Sequence, residues 1–124
     1  MSVLLETSFG DLVIDLNTEK CPNACFNFLK LCKLKHYNNS LFIKVQKDYL
    51  AQVRTKIPTT IWNERGEKKP YFNDEVNLEG KVNELGLVAT ANAGSNKNNS
   101  EFFITLTKAH LSSLNGKHTV FGKV

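Results

Sequence analysis

The sequence predicts a mainly β fold, an antiparallel barrel or curled sheet with helical packing at one end, in a single domain spanning residues 1–124. Three observations carry this expectation. Short runs of β-branched, aromatic and aliphatic residues recur between polar stretches that contain glycine, proline or asparagine. One segment near the N-terminus has the three-and-four apolar spacing of an amphipathic helix. No repeat, low-complexity tract or linker divides the chain, and 124 residues suit one domain rather than two.

The elements follow in order. Val3-Leu4-Leu5 leads through Ser8-Phe9-Gly10 into Asp11-Leu12-Val13-Ile14-Asp15-Leu16. In the second run Leu12, Ile14 and Leu16 alternate with polar neighbours, which predicts a hairpin with Gly10 free to take a positive φ in the turn. Pro22 suits the first turn of a helix, where its missing N–H costs nothing. From Ala24 to about Lys35, the residues Ala24, Cys25, Phe28, Leu31 and Cys32 form one face, while Asn23, Asn27, Lys30 and Lys33 fall between them as the wet face. Asn38-Asn39 is expected to end the helix. Leu41 to Val45 and Tyr49 to Val53 are short β-type runs around Gln46-Lys47-Asp48. Residues 54–71, with Pro58, Gly66 and Pro70, are expected to be a long polar surface loop, and such loops are more often functional than idle. Gly86 to Ala91 is strand-like and runs into a second polar loop at 92–100; Phe102 to Leu106 and Thr119 to Phe121 are the remaining strands.

Composition excludes several classes. The chain is 41% hydrophobic and 23% charged, near the globular average and far from a disordered one. No apolar run approaches the ~20 residues of a bilayer-spanning helix, so no membrane partner is expected. Met-Ser-Val-Leu-Leu-Glu lacks the basic leader and apolar core of a secretory signal, which points to a soluble protein that is not secreted. The 16 Lys+Arg against 12 Asp+Glu give +4, but the cations are scattered and only Arg54 and Arg65 can make a fork contact. Lys30, Lys33 and Lys35 read as a solvated helix face, and no strand carries an aromatic pair to stack bases, so nucleic acid is not an expected partner. Cys21, Cys25 and Cys32 are odd in number and confined to one segment, unlike a disulfide framework, and lack zinc-site spacing. They are expected as reduced thiols, with Cys25 or Cys32 packed in the core. No metal or cofactor is expected. The sequons at Asn38 and Asn98 are read as chance occurrences.

Several motifs then occur together. Thr90-Ala91-Asn92-Ala93-Gly94-Ser95-Asn96, Ser100-Glu101-Phe102-Phe103-Ile104-Thr105 and Leu114-Asn115-Gly116-Lys117-His118-Thr119-Val120-Phe121-Gly122-Lys123-Val124 resemble the cyclophilin family. Phe9-Gly10-Asp11, the run from Pro22 to Leu29, Leu41-Phe42, Gln52 and Phe72-Asn73-Asp74-Glu75 agree with it. The likeness covers the chain except 53–71, which aligns only by length, and the hairpin and helix look most like the short spliceosome-associated cyclophilins. The resemblance implies an eight-stranded antiparallel β-barrel capped by helices, here with the N-terminal helix but without the family's C-terminal helix and closing strand, as in a C-terminally shortened chain. It also implies peptidyl-prolyl cis–trans isomerisation of X-Pro bonds in protein substrates, a role in protein folding, and spliceosomal proteins among the partners; the spliceosomal likeness alone points to the nucleus, with the cytoplasm as the alternative.

Carried over by position, the resemblance gives a site. Phe103 would floor the proline pocket, with Tyr49 and Leu50 where the family has phenylalanine and methionine, and Leu114 and His118 completing the wall. Gln52 would orient the cation and a substrate carbonyl, and Ala91, Asn92 and Ala93 would form the edge that bonds the peptide backbone. Taken singly, Phe103 or Leu50 reads as core and His118 as an ordinary hydrogen-bonded histidine; their joint spacing carries the functional reading.

The departures are as informative. The family's catalytic arginine aligns with Lys44, which keeps the charge without the planar fork. A histidine of the same strand is replaced by Ile43, and a proline-glycine turn by Lys47-Asp48. Glu101 stands for a glutamine that contacts the peptide, so it is expected to pair with Lys44 or to disfavour acidic substrates. Ser113 replaces the tryptophan that lines the drug cleft, so cyclosporin binding should be weak. Val53-Arg54-Thr55-Lys56 replaces glycines beside the site, and Ile61-Trp62 reads as the remnant of an aromatic anchor. The catalytic set is therefore Lys44, Gln52, Asn92 and His118, and activity is expected to be weak. The competing reading is a non-catalytic proline-peptide-binding module of a larger assembly.

Overall fold

The computed structural model describes residues 1–8, 10–47, 49–55, 57–75, 85–107 and 118–124, with the backbone alone at positions 43 and 44. Phe9, Asp48 and Lys56, three of the expected turn and loop positions, lie outside the described residues, as does the segment that holds Ser113 and Leu114.

The first hairpin forms as its alternation predicts. β1 (Ser2–Thr7) and β2 (Gly10–Leu16) pair from Ser2 with Asp15 to Thr7 with Gly10. Gly10 takes a φ of +138°, a region residues with a Cβ avoid. Ile14 and Leu16 are buried while Val13 and Asp15 face out.

Helix α1 (Pro22–Lys33) begins with its proline in the first turn, and it has no capping side chain of its own at Cys21. Glu75 supplies the cap from 52 residues away: its carboxylate accepts from the N–H of Asn23 at 3.1 Å and of Ala24 at 2.7 Å. A carboxylate there satisfies donors that the helix cannot satisfy itself and complements its dipole. At the other end Lys35 turns left-handed at φ +59°, and the N–H of His36 closes onto the carbonyl of Leu31. This backbone closure ends the helix two residues before the expected Lys35, upstream of Asn38-Asn39.

β3 (Leu41–Gln46), β4 (Leu50–Arg54), β5 (Leu87–Thr90), β6 (Phe102–Thr105) and β7 (Val120–Lys123) complete the sheet. Among the described residues the seven strands are antiparallel in the order β1-β2-β7-β5-β6-β4-β3, curled as a half-barrel around α1. The core lies between helix and sheet. Phe28 of α1 meets Tyr37, Phe102 and Phe121 at 5.3, 5.2 and 5.2 Å between ring centroids, the tilted and edge-on contacts aromatic rings favour. Gly122 sits where β7 crosses β2. A Cβ there would fall 2.9 Å from both the Asp15 carbonyl oxygen and the Ile14 side chain, so the close approach needs glycine.

Two expectations are corrected, on residues 54–71 and on Asn27, while the expected burial of Cys25 holds. Residues 54–71 are not simply a surface loop: they hold the short helix α2 (Ile61–Glu64) and bury Thr55, Thr59, Thr60 and Ile61. The cause lies in hydroxyl and amide partners that polarity alone does not show. Thr60 caps α2 by accepting from the Asn63 N–H at 3.1 Å, and Thr55 and Thr59 bind the Ser100 hydroxyl at 2.8 and 3.1 Å. Trp62 does act as an anchor, in tilted contact with Phe26 and Phe72 at 5.9 and 5.7 Å between ring centroids. Asn27, expected on the wet face of α1, is buried because its side-chain oxygen accepts from the Ile61 N–H at 2.7 Å, tying α1 to α2. Cys21 is as deeply buried as Cys25, whereas Cys32 is only half-buried. The Cys21 and Cys25 thiols donate to the carbonyls of Val120 and Phe121 at 3.2 and 3.4 Å, which fastens the helix to β7.

Candidate functional site

The second polar loop is rigidly held. Asn98 is fully buried: its amide donates to the Phe72 carbonyl at 3.0 Å and to Asp74 at 2.7 Å, and its oxygen accepts from the Thr90 hydroxyl at 2.7 Å. Asp74 and Asn96 exchange two further bonds, with the Asp74 N–H donating at 2.9 Å and the Asn96 N–H at 3.1 Å. Segment 72–75 thus clamps the loop at 92–100, and the loop in turn sets the edge of a depression in the sheet.

That depression is an open hollow of about 310 Å³ lined by Leu50, Gln52, Ala91, Asn92, Ala93, Asn99, Glu101, Phe103 and His118. Strand alternation puts Leu50 and Gln52 of β4 on one side, with Phe103 paired to Gln52 across β4 and β6. Leu50, Ala89 and Phe103 form a small apolar cluster beneath the opening, with Tyr49 packed against it. His118 stands edge-on over Phe103, 5.1 Å between centroids and 89° between planes. Its Nδ1 lies 2.8 Å from the Thr90 carbonyl oxygen, and since that oxygen can only accept, Nδ1 carries the proton.

Among the described lining residues the acidic side chain is that of Glu101. Its partner is Arg54, with Nε 3.5 Å from Oε2; the side chains are 12% and 59% exposed for Glu101 and Arg54 respectively. The Glu101 N–H donates to the side-chain oxygen of Asn99 at 2.9 Å, which fixes the backbone where the carboxylate emerges. Burial pushes the Tyr37 hydroxyl well above its ordinary pKa, with Cys32 and Glu101 adding to the shift, so it stays protonated and donates to the Ser100 carbonyl at 2.6 Å.

Eight of the expected residues therefore meet at one opening: Leu50, Gln52, Ala91, Asn92, Ala93, Glu101, Phe103 and His118. Tyr49 packs beside it. Ser113 and Leu114 lie outside the described residues, as does the side chain of Lys44, whose backbone pairs directly with Gln52 across β3 and β4. The N–H groups of Ala91 and Ala93 are committed to the carbonyls of Glu101 and Lys97 at 3.0 and 3.1 Å, so the edge does not offer those two donors to a ligand. Asn99 and Arg54 were missed as site residues. Asn99 carried no signal beyond a sequon; Arg54, two residues after Gln52 on a strand, could have been placed on the same face by period-two counting. Among the described residues no group of three or more His, Cys, Asp or Glu is placed to hold a metal ion, and no helix is long and apolar enough to cross a membrane.

A curled antiparallel sheet with an open hollow above a buried phenylalanine defines a class, and comparison with known proteins agrees with it. Residues 2–124 match the family described as cyclophilin type peptidyl-prolyl cis-trans isomerase/CLD, and the chain belongs to that family. It is 47% identical to peptidyl-prolyl cis-trans isomerase CYP59 of Arabidopsis thaliana, an alignment covering 100% of this chain and 26% of that protein. It is 42% identical to the spliceosome-associated protein CWC27 homolog of Xenopus laevis over 98% of this chain and 25% of that one. The chain thus spans about a quarter of the length of these relatives. A crystal structure of a Cryptosporidium parvum cyclophilin type peptidyl-prolyl cis-trans isomerase, obtained in the presence of the dipeptide Ala-Pro, superposes with a TM-score of 0.87 at 35% identity, covering 99% of this chain and 77% of that one.

Proposed function

We propose that the hollow binds the proline of an X-Pro segment and that this chain, as a single domain, catalyses its cis–trans isomerisation. The observation that carries the reading is the opening itself: an apolar floor of Phe103 and Leu50 ringed by Gln52, Asn92 and His118. The barrier to overcome is the amide resonance of about 18–20 kcal/mol, and no covalent bond to the protein is needed. A donor to the prolyl nitrogen weakens that resonance most in the twisted transition state, so it binds the transition state better than either ground state. In this reading Lys44 supplies the cation, Gln52 across the ladder orients it and a flanking carbonyl, Asn92 holds the peptide edge, and His118 with Leu114 walls the ring against Phe103. Tyr49 backs the floor, and Ala91, Ala93, Glu101 and Ser113 border the peptide. The spliceosome-associated relative of Xenopus laevis supports association with spliceosomal proteins, and through it nuclear residence, and the loss of a ring at Ser113 supports weak cyclosporin binding.

Binding is tested by titrating an Ala-Pro peptide into the isotope-labelled chain. The expected result is chemical-shift change concentrated at Gln52, Asn92, Phe103 and His118. Perturbation spread elsewhere, with these four unmoved, removes the site. The second reading, a binding module without turnover, is favoured by the lysine at position 44. It is distinguished by a peptide that binds at these residues while its isomer exchange stays at the buffer rate.

A further inference from the structure

We infer that Glu101 makes the hollow selective for proline segments carrying a lysine or arginine about two residues from the proline, with Arg54 setting the strength of that selection. The inference rests on the reading of the hollow as a proline site and adds the substrate class. Glu101 is the one carboxylate among the described lining residues, and its side chain is 12% exposed. A carboxylate so withdrawn from water depends on charged or hydrogen-bonding partners, because desolvation is costly. The partner in place is a loose one: Arg54 approaches through Nε alone at 3.5 Å, where charge-assisted bonds of this kind run to about 2.7–2.9 Å, and its side chain is 59% exposed. An ionised carboxylate has about four acceptor positions, so the one ion pair it makes among the described residues, a long one, leaves it able to take a second cation.

The spacing fixes where that cation must be. Glu101 and Phe103 are two residues apart entering β6, so they fall on the same side, about 7 Å apart at a strand rise of about 3.3 Å per residue. An extended peptide advances by the same step. With its proline over Phe103, a residue about two positions away lies alongside Glu101. An ammonium or guanidinium there completes the carboxylate's coordination, while a carboxylate there meets like charge. Arg54, reaching the same oxygen from the exposed side, competes with the substrate cation and so limits the preference.

The test uses five blocked peptides sharing one Ala-Pro core, titrated into the full chain by NMR: one neutral, two with Lys and two with Glu, placed two residues before or two after the proline. At one of the two positions the Lys peptide is expected to bind about three- to tenfold tighter than its Glu counterpart at low salt, the scale of a partly exposed ion pair, and the ratio should shrink at high salt. Glu101→Gln should bring the ratio close to one. The double exchange Arg54→Glu with Glu101→Arg, which keeps an ion pair in place but reverses the sign facing the hollow, should invert it. A neutral peptide that binds with no Lys-over-Glu preference at either position overturns the inference and leaves the proline site standing. A preference that survives both variants assigns it to another group and overturns it equally. Failure of all five to bind removes the proline site and the inference with it.

Discussion

A lysine ammonium and an arginine guanidinium carry the same charge with different geometry, and position 44 isolates the difference. An arginine can donate two parallel N–H groups from a rigid plane; an ammonium is a compact, strongly hydrated point charge. A preorganised donor to developing transition-state charge is worth about 2.7–4 kcal/mol, or about 10²–10³ in rate. Lys44→Arg is therefore expected to raise kcat/KM for an Ala-Pro peptide by about 10², read in a protease-coupled assay; an unchanged value means that the fork is not what the chain lacks. At this scale the family resemblance brought Leu50, Gln52, Glu101 and Phe103 together, and the structure has all four lining one opening. The sequence was illegible wherever a role depends on a partner distant in the chain. Asn27 read as a wet-face residue because nothing nearby reveals that its oxygen meets the Ile61 N–H, and the Arg54 partner of Glu101, 47 residues away, had no local signal either.

Helix α1 and the segments docked on it show how elements hold the site in place. Glu75 caps α1, Asn27 ties α1 to α2, and Ser100 ties the 54–60 stretch to the loop that opens onto the hollow. Asn27→Ala leaves the Ile61 N–H buried without its acceptor, a loss of about 1–3 kcal/mol. The expected signature is a lower urea midpoint together with faster amide exchange across residues 59–64; unchanged exchange there means the tie is not holding α2. Gly122→Ala forces a Cβ to within 2.9 Å of the Asp15 carbonyl oxygen and the Ile14 side chain, and overpacking of this kind costs about 1–3 kcal/mol. Thermal unfolding should show the loss, and a neutral result would mean that β7 shifts away from β2 freely. β1, β2 and α1 were readable because they follow a local period of two or about 3.6, and the other strands because each is a short apolar or β-branched run bounded by polar loops. α2 was not, because a four-residue helix offers too little periodicity and its anchoring threonines look like loop residues.

For the whole molecule, the buried thiols make stability depend on pH at the alkaline end. Burial first, then the Glu75 carboxylate, pushes Cys21 from 9.0 up to about 11. Burial, then Cys21 and Glu75, pushes Cys25 up to about 12, and burial alone takes Cys32 to about 11. In each case the native state holds its proton more tightly than the unfolded chain does. From about pH 9 to 11 for Cys21 and Cys32, and to about 12 for Cys25, the unfolded state binds fewer protons, and stability falls as pH rises through that window; below pH 9 the contribution is fully present. The melting temperature is expected to be level from pH 7 to about 8.5 and to decline from there toward pH 11, and a level profile across the whole range would contradict the burial of these thiols. The half-barrel that these contacts maintain has one consequence on which the functional reading turns, the hollow over Phe103. The most direct measurement is two-dimensional exchange NMR on an Ala-Pro-Phe peptide with a catalytic amount of the folded chain. The account expects cis–trans exchange cross-peaks on a timescale far shorter than the tens of seconds of the uncatalysed step. Exchange indistinguishable from the buffer blank, with the protein's own spectrum well dispersed, would contradict it.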